Sequence, residues 1–231
     1  MAVNNLSKDL RQFLVLQGAN LVGFADLGLL PQEVRHGLPY GISIAIALSP
    51  KIASSMDLGP TQEYKKEYDR INMKLGEITE AGAGFLENLG HKAVAKAATH
   101  SEIDWRSLSV PLAHKTIATL AGLGWIGKNA LLVTRGFGTA IRLGTVLTDA
   151  VLDVGKPAKE SKCGDCAECG WVCPGNAVKG KNWKQGLDRS EYFNAHACYG
   201  VTRRHEKQVG DLICGICIAA CPWTKKWLKK P

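Results

Sequence analysis

Residues 163–175 read CGDCAECGWVCPG. Two, two and three residues separate the four cysteines in turn, and a proline follows the last. Thiolates are soft ligands that select zinc or iron–sulfur centres. Disulfides do not suit the run, because thiols this close cannot all pair without strain. Zinc sites usually use two separated C-x-x-C pairs, which makes zinc the lesser reading. The spacing is that of a [4Fe–4S] ligand run, in which three cysteines hold one cluster and the fourth reaches over to another.

A second cluster must then exist. DLICGICIAACPW (211–223) repeats the pattern with Asp211 where the first cysteine would stand. The remaining cysteine, Cys198, lies upstream in HACYG. The expected ligands of cluster one are Cys163, Cys166, Cys169 and Cys221. Those of cluster two are Cys173, Cys198, Cys214 and Cys217, with the Asp211 carboxylate as the alternative to Cys198. Clusters that share crossed ligands lie close together and pass electrons singly. Trp171 and Trp223 are expected to shield them from water.

The elements that position these thiols fall into two groups. Every cysteine lies after residue 162, and the polar stretch DVGKPAKESK (153–162) reads as a connection between two modules. Residues 5–18 suit a helix with Leu6, Leu10, Phe13, Leu14 and Leu16 mostly on one face. ANLVGFADL (19–27) and GISIAIALS (41–49) read as strands covered on both faces. Residues 60–90 form a long helical pattern, HKAVAKAA (91–98) the next strand, and PLAHKTIATLAG (111–122) a helix. ALLVT, RGFG and TAIRLGTVLTD read as a hairpin. Helices alternating with strands give an α/β or α+β module with one central sheet.

The 231 residues carry a formal charge of +8. Residues 1–150 hold 15 basic and 13 acidic side chains, and residues 151–231 hold 14 and 8, so the excess gathers with the cysteines. The ending WTKKWLKKP reads as a solvated helix end or as a dock for an acidic redox partner. No run reaches the roughly 18 apolar residues of a membrane helix. Lys8, Asp9 and Arg11 interrupt the first helix, which excludes a signal peptide. A cytoplasmic protein without membrane contact is expected.

GLGWIGKN (122–129) matches G-x-G-x-x-G and nearly matches a phosphate-binding loop. Both motifs need a strand before and a helix after. Here a helix precedes and a strand follows, which argues against nucleotide binding. A tight helix-to-strand turn and a cofactor-contacting loop remain.

HKTIATLAGLGWIGKNALL, RLGTVLTD, CGDCAECGWVCPGNAV, the lone Cys198 and CGICIAACPW, in that order, resemble epoxyqueuosine reductases and, more distantly, reductive dehalogenases. The likeness runs from about residue 111 to residue 223, and residues 1–110 fit in outline. The resemblance implies an α+β protein with a nitroreductase-like α/β module over 1–152. A bacterial-ferredoxin-like domain with two [4Fe–4S] clusters follows over 153–231. It also implies a cobalamin in the first module, with a flavin as the lesser alternative, and makes Gly122, Gly124, Trp125, Gly127 and Lys128 candidate corrinoid contacts. Two departures stand out. The family's general-acid aspartate, three residues before Pro111, is Leu108 here, which leaves His114 as a replacement acid. The chain also stops shortly after Trp223, without the helical-repeat domain that grips tRNA.

The expected function is an iron–sulfur oxidoreductase that passes electrons through both clusters to a cobalamin acting on an unknown substrate. Two alternatives stay open. One is a non-catalytic carrier that reduces a corrinoid protein. The other is a shortened epoxyqueuosine reductase acting on tRNA. The expected partner is a low-potential donor such as flavodoxin or ferredoxin. The two departures make tRNA an unexpected partner.

Overall fold

The computed structural model describes the backbone of residues 3–98 and 103–229; the terminal Lys230 and Pro231 of the basic ending lie outside the described residues. Helix α1 (Val3–Leu16) buries Leu6, Leu10 and Leu14, spaced one helical turn apart. Leu16 falls off that face and is exposed. Strands β1 (Leu21–Asp26) and β2 (Tyr40–Ala47) follow, then the short α2 (Pro50–Ser54). The long α3 (Gln62–Glu87) starts where the Thr61 side chain accepts from the Tyr64 N–H. Next come β3 (Ala93–Lys96), α4 (His114–Leu120), β4 (Gly124–Ile126), β5 (Leu132–Thr134) and β6 (Ile141–Thr148).

The main sheet has the order β1-β2-β6-β3, and every neighbour is antiparallel. Strand β2 is buried from Gly41 to Ile46 because both faces are covered. Ile42, Ile44 and Ile46 join the cluster built by α1 and α3. The alternate residues face α4, with Ala45 beside Ala118. A period of two thus serves two cores at once.

The expected hairpin between ALLVT and TAIRLGTVLTD does not form. Strand β5 pairs with β4, Trp125 opposite Val133, while β6 pairs with β2 and β3. An isolated bridge pairs Thr134 with Gly138 of the intervening RGFG. Strand β6 instead lies inside the main sheet, where its two edges are satisfied by β2 and β3. At Thr139 the backbone N–H is instead taken by the Thr224 hydroxyl.

The second half carries short helices between the cysteines: α5 (Glu168–Trp171), α6 (Arg189–Tyr192), α7 (Ala195–Val209), α8 (Ile216–Ala220) and α9 (Pro222–Leu228). Residues 153–162 run as a strap along the first half. Asp153 N–H donates to the Ser7 hydroxyl, Gly155 N–H to the Phe24 carbonyl, and Ala158 N–H to the Thr119 carbonyl. Val209, Ile213, Ile218 and Ala219 enter the same buried cluster as Leu10, Ile44 and Leu75. Among the described residues no helix is long and apolar enough to cross a membrane.

Candidate metal centre and adjoining cavity

Cys163, Cys166, Cys169 and Cys221 line one small void of about 60 Å³ together with Lys128, Val133, Pro222 and Trp223. Three local devices bring them there. A turn closes from Cys166 N–H to the Cys163 carbonyl. Helix α5 carries Cys169. Pro222 opens α9 directly after Cys221, where a missing N–H costs nothing.

Cys173, Cys198, Cys214 and Cys217 are the neighbours in a second group. Burial pushes the Cys198 thiol up to about 11, and Cys214 and Cys173 push it further in the same direction. Burial also raises Cys217, helped by Cys214, Cys198 and Cys169. The Cys169 thiol of the first group rises to about 12 by burial, then through Cys163, Cys221 and Cys166. The two groups therefore adjoin at Cys169 and Cys217. Asp211 is occupied otherwise: its carboxylate lies 3.5 Å from Lys65 Nζ.

The first four thiols surround a void, and a set of soft thiolates is chemistry that fits an iron–sulfur cluster. A donor without an acceptor packs against these thiols. Trp125 is buried among Cys163, Cys221 and Trp223, and its indole Nε1–H has no hydrogen-bond partner. A cluster sulfide is an acceptor of the kind that buried N–H lacks.

Two of the five glycine-loop residues, Trp125 and Lys128, sit against these thiols. Lys128 is buried and donates from Nζ to the Cys166 carbonyl at 2.9 Å. Trp125 meets Trp223 edge-on, with ring centroids 5.0 Å apart. At Gly122, φ is +73° and a Cβ would stand 2.5 Å from the Lys156 carbonyl of the strap. A Cβ on Gly124 would stand 2.1 Å from the Val133 carbonyl. These two glycines serve close backbone approach. Among the described residues, Gly122, Gly124, Trp125, Gly127 and Lys128 take no part in the wall of the large cavity, where a corrinoid contact was expected.

That cavity has a volume of about 1030 Å³ and lies between the two halves of the chain. Loop 103–110, the start of α4, β5, β6, α6 and α7 form its wall. Among the described residues, Lys115, Arg142, Lys179 and Arg189 line it, against the one carboxylate of Asp188. Tyr64 connects it to the metal centre: the tyrosine is buried, lines the cavity, and has Cys217 and Cys214 close enough to raise its phenol, though burial is the larger cause.

His114 lines the cavity, but both ring nitrogens are bonded. A carbonyl can only accept, so Nε2–H donates to Ala97 at 3.0 Å and Nδ1 accepts from the Thr145 hydroxyl at 2.8 Å. In this arrangement the protein engages both nitrogens. Asp104 is spent in its own turn, accepting from the Ser107 hydroxyl and the Arg106 N–H, which hold its carboxyl below the usual range. The titratable group that sequence reasoning missed is Lys115. Burial, then the Arg189 charge, lowers its ammonium to about 8. It donates to the Ala130 carbonyl at 2.8 Å. Its signal was faint, a lysine next to a histidine in a helical pattern. Trp171, expected to shield a cluster, is 78% exposed.

No protein-family model matches the chain. Curated relatives do. Epoxyqueuosine reductase of Vibrio cholerae is 30% identical over 263 aligned positions, 97% of this chain and 69% of that protein. The enzyme of Yersinia pestis is 31% identical over 131 residues, 55% of this chain and 32% of that protein. The chain thus spans between about a third and two thirds of the length of these relatives. Among solved structures, the catabolic reductive dehalogenase NpRdhA superposes with a TM-score of 0.72 at 19% identity, over 94% of this chain and 31% of that one. An epoxyqueuosine reductase solved with an epoxyqueuosine-modified tRNA-Tyr stem loop superposes with a TM-score of 0.64 at 19% identity, over 96% of this chain and 66% of that one. The expectation that tRNA is no partner for a chain of this kind is overturned by these findings. Its reasons, Leu108 and the length, carry less weight than a likeness that extends across nearly the whole chain.

Proposed function

Because the chain belongs to the epoxyqueuosine reductase family, we propose that it is an iron–sulfur reductase acting on an epoxide-bearing base in tRNA. The observation that carries this reading is the adjacency of the second thiol group to the large cavity through Tyr64. Cys163, Cys166, Cys169 and Cys221 would hold one iron–sulfur cluster and Cys173, Cys198, Cys214 and Cys217 a second, which would supply single-electron transfer beside the cavity wall. Residues 153–231 form the ferredoxin-like part and residues 1–152 the nitroreductase-like part.

A corrinoid is the cofactor that fits. The cavity reaches the top of the usual range for small-molecule sites, roughly 300–1,000 Å³, and Leu131, Leu132 and Leu143 give it an apolar wall beside the cations. A bound cobalamin would supply low-valent cobalt, able to pass electrons to carbon. The chain's own residues do the rest. Removal of an epoxide oxygen as water takes two electrons and two protons. Lys115 stands in the cavity wall with a proton it releases near pH 8, in a site where Leu108 cannot give one. Arg142 and Lys179 favour the phosphates that accompany a nucleotide.

The test is anaerobic turnover of epoxyqueuosine-modified tRNA-Tyr stem loop by the cluster-loaded protein with cobalamin and a strong reductant. Mass spectrometry should show loss of one oxygen atom from the base. Unchanged substrate, with both clusters intact and reducible, would sink the proposal.

A further inference from the structure

Trp105 lines the large cavity and is nevertheless 57% exposed, so it stands at the rim. Its ring centroid lies 6.0 Å from that of Tyr199, with the planes tilted by 56°. Trp105 belongs to loop 103–110 of the first half, and Tyr199 to α7 of the second. The two aromatic residues therefore face one another from opposite halves of the chain.

The loop that carries Trp105 is held in a costly shape. Leu108 has φ +52°, in the left-handed region that a branched side chain rarely occupies. Arg189 from α6 donates to the carbonyls of both Ser107 and Leu108. Asp104 and Ser109 bridge the loop's base. Such strain persists where the surroundings fix it. Here its effect is to hold an indole in water at the opening of a cationic cavity. An exposed indole adds little to the core. Its π-face is available to a flat ligand, and the lysines and arginines below favour one that carries phosphate.

We propose that Trp105 and Tyr199 form a stacking clamp for an unpaired nucleobase of the RNA substrate at the cavity mouth, next to the base that enters. Unpaired loop bases are recognised by stacking on aromatic side chains, and every base offers a face. The clamp rests on the tRNA reading above and adds to it the subsite that positions the loop.

The experiment is fluorescence anisotropy with a labelled tRNA-Tyr stem loop on the anaerobic, cluster-loaded protein with no cobalamin added. Trp105→Ala should weaken binding by roughly 5- to 150-fold, the effect of losing one stacked base. Trp105→Phe should keep most of the affinity, and Trp105→Leu should not. The dependence of affinity on salt should match wild type, since the indole neutralises no phosphate. Iron content and circular dichroism equal to wild type would show an intact fold, and Tyr199→Ala gives a second route to the same loss. A duplex of the same stem without its loop should bind both proteins alike.

Wild-type affinity in Trp105→Ala, or full rescue by Trp105→Leu, would overturn the clamp while leaving the tRNA reading standing. Failure of the wild-type protein to bind the stem loop at all would overturn the tRNA reading, and the clamp with it. Loss of cobalamin affinity in Trp105→Ala with stem-loop binding unchanged would reassign the indole to the cofactor and also overturn the clamp.

Discussion

Arg189 Nη1 donates to the Leu108 carbonyl at 2.8 Å, and the two residues come from opposite halves of the chain. This contact fixes the loop that roofs the cavity, and the same guanidinium helps to lower the Lys115 ammonium. One side chain thus sets both the shape and the charge of the site.

Replacing Arg189 with Met should free the loop. Hydrogen bonds from a charged donor are worth about 1.5–3 kcal/mol. Amide exchange at residues 104–109 should therefore quicken roughly tenfold or more, while exchange in the main sheet stays as in wild type. Equal exchange across the loop in both proteins would show that Arg189 does not hold it.

Lys115 gives a pH signature with a definite sign. Its ammonium sits near 8 when folded, against an ordinary value of 10.5. Below pH 8 the folded protein bears the full cost of a buried charge. Between about pH 8 and 10.5 the unfolded chain holds the proton and the folded one does not, so stability rises with pH across that window. Lys115→Met should flatten the rise, by at most ~3 kcal/mol in total. Parallel stability curves for the two holoproteins from pH 7 to 10 would show that Lys115 is not depressed.

Cys198→Ser should lower iron content or convert one centre to a three-iron form visible by electron paramagnetic resonance. Asp211→Ala should keep both centres, because that carboxylate is committed to Lys65. The reverse pattern would exchange the two residues as ligands.

Gly124→Ala should be severe and Gly136→Ala mild. A methyl group at 124 would stand 2.1 Å from the Val133 carbonyl and force β4 from β5, displacing Trp125 from Trp223. A loss of at least ~3 kcal/mol, or failure to fold, is expected. At Gly136 nothing lies within 4 Å, so the thermal midpoint should barely move. Similar midpoints in both variants would show that the hairpin can yield.

The thiols were legible because metal ligation constrains spacing along the chain. The structure places Cys163, Cys166, Cys169 and Cys221 around one void, as that spacing suggested. Strands β1 and β2 were legible as apolar runs. Strand β4 was hidden, because three extended residues inside a glycine run leave almost no periodic signal, and its absence made β5 and β6 look like partners. The path of residues 153–162 along the first half was not legible, because it is held through backbone groups of Gly155 and Ala158, and such bonds place no demand on side-chain polarity. Tyr64 and Arg189 gained their places from tertiary contacts, which a helical pattern shared with many solvated residues cannot show.

Val209, Ile213 and Ile218, drawn from among the cysteine-bearing helices, complete the cluster that α1 and α3 begin. A centre bound by the eight thiols would therefore act as a staple for the whole chain and not only for its own end. In a cell short of iron the unstapled chain would open across this shared interior and fall to proteases. The amount of protein present, and not merely the share that is active, would then follow the iron supply.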